Sequence, residues 1–335
     1  MILVTGGAGF IGSNFILNWI KKNNEPVLNY DNLTYASNLK NLSDIEDSKD
    51  YFFIKGDIND KSLLKEVLSE HKPRTIVNFA AETHVDNSIA SPKAFIDSNI
   101  FGTFNLLTVT LEFYLSLSFG EKENFKFLHI STDEVFGSLE LEDEKSTELS
   151  PYRPNSPYSA SKAASDHLVR AWAETYNLPV NITNCTNNYG PNQHTEKLIP
   201  LLISNCLNWN KLPIYGDGKN IRDWLFVEDH CDAICEVLEK GKVGETYNIG
   251  GNNQTSNFEI ARKICSILDM LSPNEKGDHS QLIEFVGDRP GHDFRYNLDI
   301  SKIKKELDWQ PSETFDSGLE KTVTWYLEKH NRNEK

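Results

Sequence analysis

The sequence predicts an α/β fold, a doubly wound parallel sheet with a smaller C-terminal lobe. Strand-like and helix-like segments alternate from the first residue. The strand-like runs are continuously apolar and β-branched, as strands covered on both faces must be. The turn after the first strand is glycine-rich and opens a helix, the junction at which such folds bind ligands. Right-handed crossovers then wind the chain to both sides of the sheet.

Taken in order, "ILVTG" is a strand, "FIGSNFILNWIKKN" a helix and "PVLNYD" a strand. "YFFIKGD", "KSLLKEVLSEH" and "TIVNFAA" repeat the strand, helix, strand pattern. A long helix near 94–118 follows, then the strand "KFLHIS", a helix after Pro157 and the strand "PVNITNC". Beyond residue 187 the rhythm shortens and Pro and Gly punctuate it, in "YGPN", "LPIYGDGKN", "NIGGNN" and "DRPGHD". The division expected is residues 1–187 for the first lobe and 188–330 for the second, with an interleaved boundary. Helical spacing is read across "RDWLFVEDHCDAICEVLEKG", and 221–245 is expected to return onto the first lobe.

Composition narrows the function. With 39% hydrophobic and 11% aromatic residues in 335, the chain can bury a core. Its 34 basic against 49 acidic residues leave a net charge of −15, which repels a polyanion and disfavours nucleic acid as partner. The opening "MILVTGG" has no basic and apolar leader pattern, so cytoplasmic placement is expected. "SNIFGTFNLLTVTLEFYLSLSFG" is too polar for a membrane span and reads as a mostly buried helix. The five cysteines form no CxxC pair, so a reduced protein without structural metal is expected, with Cys231 and Cys235 as packing residues.

Three motifs carry chemistry. In "TGGAGFIG", Gly6, Gly9 and Gly12 allow a tight turn and let a pyrophosphate approach a helix N-terminus, whose free N–H groups favour anions. Asp31 ends the second strand nineteen residues after Gly12, where an acid can bind ribose hydroxyls and repel the extra phosphate of NADP; NAD is therefore the cofactor expected. In "NSPYSASK", Ser156 is a plausible N-cap and Pro157 suits the first helical position. Tyr158 and Lys162 then share a helix face, where an ammonium would lower the tyrosine pKa toward that of a useful base. In "STDEVFG", Asp133 and Glu134 stand side by side at a strand end, an unusual place for two carboxylates.

Together these runs resemble the extended short-chain dehydrogenase/reductase family, and within it the nucleotide-sugar 4,6-dehydratases. "TGGAGFIGSNF", "AAETHVDNSI", "STDEVFG", "SPYSASKAASDHLVRAW", "NCTNNYGPNQ", "EKLIP", "LPIYGDGKNIRDWLFVEDH", "ETYNIGG" and "DRPGHDFRY" carry the resemblance, in order and over nearly the whole chain. It implies a Rossmann lobe holding recycled NAD, a nucleotide-sugar lobe, and a homodimer formed by a four-helix contact of the 94–118 and Tyr158 helices. It also implies a substrate of the dTDP- or UDP-glucose type, because "TDE" differs from the Thr-Ser-Glu of GDP-mannose enzymes and from the small or neutral residues of 4-epimerases. The resemblance puts dTDP-glucose ahead of UDP-glucose, a one-methyl difference that no motif decides.

Residue by residue, the resemblance assigns catalysis to Thr132, Asp133, Glu134, Tyr158 and Lys162. Tyr158 would take the 4-hydroxyl proton, Glu134 the C5 proton, and Asp133 would protonate the departing 6-hydroxyl; which acid rests protonated stays open. NAD would meet Gly6, Gly9, Phe10, Ile11, Gly12, Asp31, Asn32, Leu33, Thr34, Asp57, Ile58, Ala80, Ala81, Ser98 and Asn188, besides Tyr158 and Lys162. The substrate would meet Thr83, Thr132, Asn187, Lys197, Leu198, Pro213, Ile214, Tyr215, Arg222, Asn257, Asp288, Arg289 and His292, with Arg222 and Arg289 as forked diphosphate donors. His84 and His292 are expected to be structural more than catalytic. Three departures stand out: Phe136 where Tyr is usual, Ser98 where Thr is usual, and the run "NQHTEKLIP". The missing Phe136 hydroxyl is expected to bear on substrate preference.

Overall fold

A computed structural model describes residues 1–333. The strands are β1 (Ile2–Thr5), β2 (Val27–Asp31), β3 (Tyr51–Lys55), β4 (Thr75–Asn78), β5 (Lys126–Thr132) and β6 (Val180–Cys185). They continue as β7 (Asn187–Tyr189), β8 (Leu212–Tyr215), β9 (Ile221–Phe226), β10 (Thr246–Ile249), β11 (Gln254–Ser256) and β12 (Ile283–Val286). Seven form one sheet in the order β10-β6-β5-β4-β1-β2-β3, every pairing parallel. The order reverses between β1 and β4, so a crevice opens beyond Thr5 and Asn78 where the crossovers diverge.

The two-residue period of a strand assigns the cores. Ile2, Val4, Val77 and Leu128 face one layer, shared with the helices Phe10–Asn23 and Val227–Lys240. Leu3, Leu28, Ile76 and Phe127 face the other, against the helices Lys61–His71, Thr103–Ser116 and Pro157–Tyr176. A separate core joins the helices Leu198–Leu207, Asn257–Leu271 and Phe315–Asn333 to β8 and β9.

Two readings need correction. The helix expected from Arg222 begins only at Val227; Ile221–Phe226 is a strand. The alternation explains it: Trp224 and Phe226 enter the separate core with β8 while Leu225 between them enters the layer of Ile2 and Val4. From Val227 the spacing of Cys231, Ile234, Cys235 and Leu238 is helical, and this helix packs on Phe10–Asn23, with Asn18 and Lys22 both donating to Asp232. β10 joins the large sheet just after it.

The segment read as one mostly buried helix is in fact broken and half-exposed. A π-turn, Ile96–Gly102, precedes the α-helix Thr103–Ser116, and a further short helix follows at Phe119–Asn124. Leu106, Leu107 and Val109 are buried, but Phe101 is 54% and Leu115 61% exposed.

Candidate active site

The first wall of the crevice is the glycine turn. Gly6 has φ +70°, and a Cβ there would meet the Ala80 backbone at 2.7 Å. A Cβ on Gly12 would stand 2.4 Å from the Gly6 carbonyl oxygen, so helix and turn close together only around glycine. The helix Phe10–Asn23 starts with no side-chain cap, leaving its first N–H groups for an anion. Asp31, buried at the end of β2, accepts from the Ala8 and Leu33 amides at 2.9 and 2.7 Å and from Ser37 Oγ at 2.9 Å. A bare cradle with an acid at its ribose end fits a dinucleotide lacking a 2′-phosphate.

A cleft of about 530 Å³ runs from this cradle to the ends of β5 and β6. Phe10, Ile11, Asn32, Thr34, Asp57, Ile58, Ala80, Ala81, Ser98 and Asn188 line it with the glycines and Asp31. Leu33 does not; its φ of +56° turns its N–H back to Asp31. Thr83, Asn187 and Lys197 line the far end, where the Lys197 ammonium donates to the Thr83 carbonyl at 2.9 Å.

The remaining substrate candidates lie outside that wall, in the second lobe. Leu198 begins a helix, Pro213, Ile214 and Tyr215 are in β8, and Asn257 begins another helix. Arg222 stacks over the Tyr296 ring at 4.4 Å and donates to the carbonyls of Ile221, Asp293 and Phe294. Arg289 pairs with Asp86 at 3.1 Å, and His292 Nδ1 lies 2.7 Å from Asp288. His84 caps the helix Val85–Ala90 through Nδ1, which accepts from the Asn87 amide.

At the strand end, Thr132, Asp133, Glu134, Tyr158 and Lys162 all line the cleft. Burial, and then the charge of Glu134, push the Asp133 carboxyl well above the usual range. One of its oxygens, Oδ2, is buried without a hydrogen-bond partner. Burial also raises Glu134, but Arg222, Lys197 and Arg289 pull it back. The surroundings therefore favour the proton on Asp133 more strongly than on Glu134.

The tyrosine differs from expectation. Burial and the Glu134 charge hold the Tyr158 phenol well above 10, opposed by its hydrogen bond to Thr132. The Lys162 ammonium donates to the Ile130 carbonyl at 2.8 Å. Burial lowers Lys162 itself, with Asp166 opposing. At the phenol, burial is the largest influence and the Glu134 charge the next.

A family model described as GDP-mannose 4,6 dehydratase matches residues 3–322. The chain belongs to this family. It is 55% identical over 326 residues to a dTDP-glucose 4,6-dehydratase of Xanthomonas campestris, covering 97% of this chain and 92% of that one. A protein of the same name from Neisseria gonorrhoeae is 52% identical, with 99% and 96% covered. Among solved structures, the dTDP-glucose 4,6-dehydratase of Bacillus anthracis, in complex with NAD, is 46% identical, with TM-score 0.86 and coverage of 98% and 97%. DesIV of Streptomyces venezuelae, of the same name and also with NAD bound, is 43% identical, with TM-score 0.89 and coverage of 99% and 98%. A UDP-glucose 4-epimerase of Thermotoga maritima shares the architecture at 26% identity and TM-score 0.85, so fold does not separate the chemistries.

Within this dehydratase family, the departure at Phe136 is one of packing. Its ring is T-shaped on Tyr152 at 5.2 Å, in a cluster with Val135, Ala163 and Leu298, and it does not line the cleft. Phe136→Ala is expected to cost about 3–5 kcal/mol of stability, read by denaturant unfolding, whereas Phe136→Tyr leaves substrate KM unchanged.

The sequence reading missed Asn99. Inside the π-turn, its side chain accepts from the Glu82 amide at 2.8 Å and donates to the Glu82 carbonyl and to Ser161 Oγ. It thereby ties the wall beside Ser98 to the Tyr158 helix. An extra residue per turn has no local sequence signal, and such turns recur at functional sites.

Proposed function

We propose that the protein is a dTDP-glucose 4,6-dehydratase, a hydro-lyase that converts its substrate to dTDP-4-keto-6-deoxy-glucose using tightly held NAD. The observation that carries this reading is the pair of adjacent carboxyl groups, Asp133 and Glu134, lining one cleft with Tyr158 and Lys162. Removing a C5 proton is difficult until C4 is a ketone, after which the proton lies α to a carbonyl. When bound in the glycine cradle, NAD supplies a hydride acceptor for C4 and the hydride that ends on C6, so it leaves each turnover unchanged.

The chain's own groups move the protons. Tyr158 takes the 4-hydroxyl proton in its phenolate form, which the Thr132 hydroxyl favours against burial and the Glu134 charge. Glu134, ionised first, takes the C5 proton, and Asp133 gives its proton to the 6-hydroxyl, which departs as water. Glu134 then returns a proton to C5, and the proton taken up by Tyr158 makes up the one Asp133 gave, so the cycle closes. Arg222 and Arg289 favour the ionised form of Glu134 and supply positive charge for a diphosphate. A 4-epimerase needs no such pair, which favours dehydration over that alternative. Thymine and uracil differ by one methyl group, about 1–3 kcal/mol in a pocket, so dTDP-glucose ahead of UDP-glucose rests on the relatives' names.

The exposed apolar side chains Phe101, Phe104 and Leu115 support a homodimer through the Thr103–Ser116 and Pro157–Tyr176 helices. Placement in the cytoplasm is supported by the five unpaired, buried cysteines; among the described residues no helix is long and apolar enough to cross a membrane.

The test is incubation with dTDP-glucose and UDP-glucose without added NAD. Alkali-developed 4-keto absorbance from dTDP-glucose is expected; a C4 epimer, or no turnover of either sugar, overturns the proposal.

A further inference from the structure

Tyr158, Lys162 and Asp166 are spaced four apart on one helix and so share a face. Their exposure falls along that face from 8% to 4% to 0%, so a carboxylate is sealed one turn below the active-site lysine. Asp166 Oδ2 receives Ser131 Oγ at 2.8 Å, Tyr152 OH at 3.0 Å and Asn184 Nδ2 at 3.3 Å. The same Asn184 amide donates to the Thr132 carbonyl at 3.1 Å. One buried oxygen therefore gathers donors from β5, from β6 and from the loop before the helix.

The other oxygen, Oδ1, lies 3.4 Å from His129 Nε2. Thr5 Oγ1 donates to Asn78 Oδ1, so Asn78 Nδ2 donates to His129 Nδ1. The histidine proton then sits on Nε2, facing Asp166 and Ser165. Burial and the Lys162 charge keep this imidazole neutral, so it cannot serve as the counter-ion of Asp166. Cys185, from β6, is pushed up to about 12 by burial and stays a thiol. Tyr152 and Tyr158 are phenols held above their ordinary range. Asp133 and Glu134 stand beyond Tyr158, and His167 and Arg170 are on the exposed side of the helix. Lys162 and Asp166 are left as the buried groups of opposite charge on this helix face, one turn apart, with Asp166 opposing the loss of the lysine's proton.

We propose, resting on the dehydratase reading, that Asp166 is a positioning residue: it is the counter-charge that keeps Lys162 an ammonium and pins the strand ends that carry Thr132. A lysine sealed from water without an anion gives up its proton, and its hydrogen bond to the Ile130 carbonyl supplies no charge to prevent that.

The experiment compares wild type, Asp166→Asn, Asp166→Glu, Lys162→Met and the Asp166→Asn/Lys162→Met double variant. In the pH profile of kcat for 4-keto formation, Asp166→Asn should move the basic limb down by about one pH unit or more, and Asp166→Glu should restore most of it. In thermal melting, the double variant should lose clearly less than the sum of the singles, because each single leaves a buried charge unpaired. An unmoved basic limb with additive melting losses overturns the proposal and leaves Asp166 a structural residue. If wild type makes no 4-keto product but the melting losses are non-additive, the dehydratase reading fails while the charge pair stands.

Discussion

Glu134→Gln is expected to lower formation of the 4-keto-6-deoxy product by about 10²–10⁴-fold, the usual worth of one general base. The amide keeps the size of the side chain but cannot take the C5 proton. The loss should be selective. Oxidation at C4 uses Tyr158 and Thr132, and Glu134 bonds Thr132 Oγ1 through its backbone amide, which the substitution keeps. A 4-keto hexose that retains its 6-hydroxyl should therefore form slowly, and exchange of its C5 proton with D2O should fall in step with product formation. Removal of the Glu134 charge also lifts one of the two main pressures that hold the Tyr158 phenol up. The tyrosine limb of the pH profile should accordingly move to lower pH. Normal product formation by Glu134→Gln, with normal C5 exchange, would move the base to another residue.

How much of this was legible beforehand differs between the lobes, for a physical reason. The helices Phe10–Asn23 and Lys61–His71 coincide with the segments read from the sequence, because local periodicity and a buried parallel sheet point the same way. The glycine turn was legible because a Cβ at Gly6 or Gly12 collides with backbone, a constraint that acts on residue type directly. β9 was misread because Trp224 and Leu225 are both apolar yet serve different cores, and single-chain periodicity has no term for two cores. The Tyr158–Lys162 spacing put both on one face, but only the fold reveals that Ile130 takes the ammonium. Asn99 and Asp166 act through partners distant in sequence, Ser161 at one and Ser131 and Asn184 at the other, and no motif spacing encodes them. The substrate candidates of the second lobe rested on resemblance, since Arg222 and Arg289 are sixty-seven positions apart and meet the site through separate elements.

Asp133→Asn should separate activity from stability in opposite directions. Its turnover is expected to fall by about 10²–10⁴-fold, because an amide has no proton to give the departing 6-hydroxyl. Its fold should become more stable relative to wild type as pH rises above the ordinary aspartate pKa. Burial and then the Glu134 charge raise the Asp133 pKa in the folded protein, so the folded state binds this proton more tightly than the unfolded chain does. That contribution is fully present below the ordinary aspartate pKa and is lost as pH rises through the raised folded value. Above that value the wild type must bury a second negative charge beside Glu134, with one oxygen, Oδ2, lacking a hydrogen-bond partner. Asparagine removes this penalty, and the gap in melting temperature between variant and wild type should widen as pH increases. Active sites often hold such strain, and replacing the strained group commonly stabilises the fold at the expense of function. A variant that melts below wild type across the alkaline range would mean that Asp133 is not held against its charge, and the division of roles between the two acids would have to be reversed.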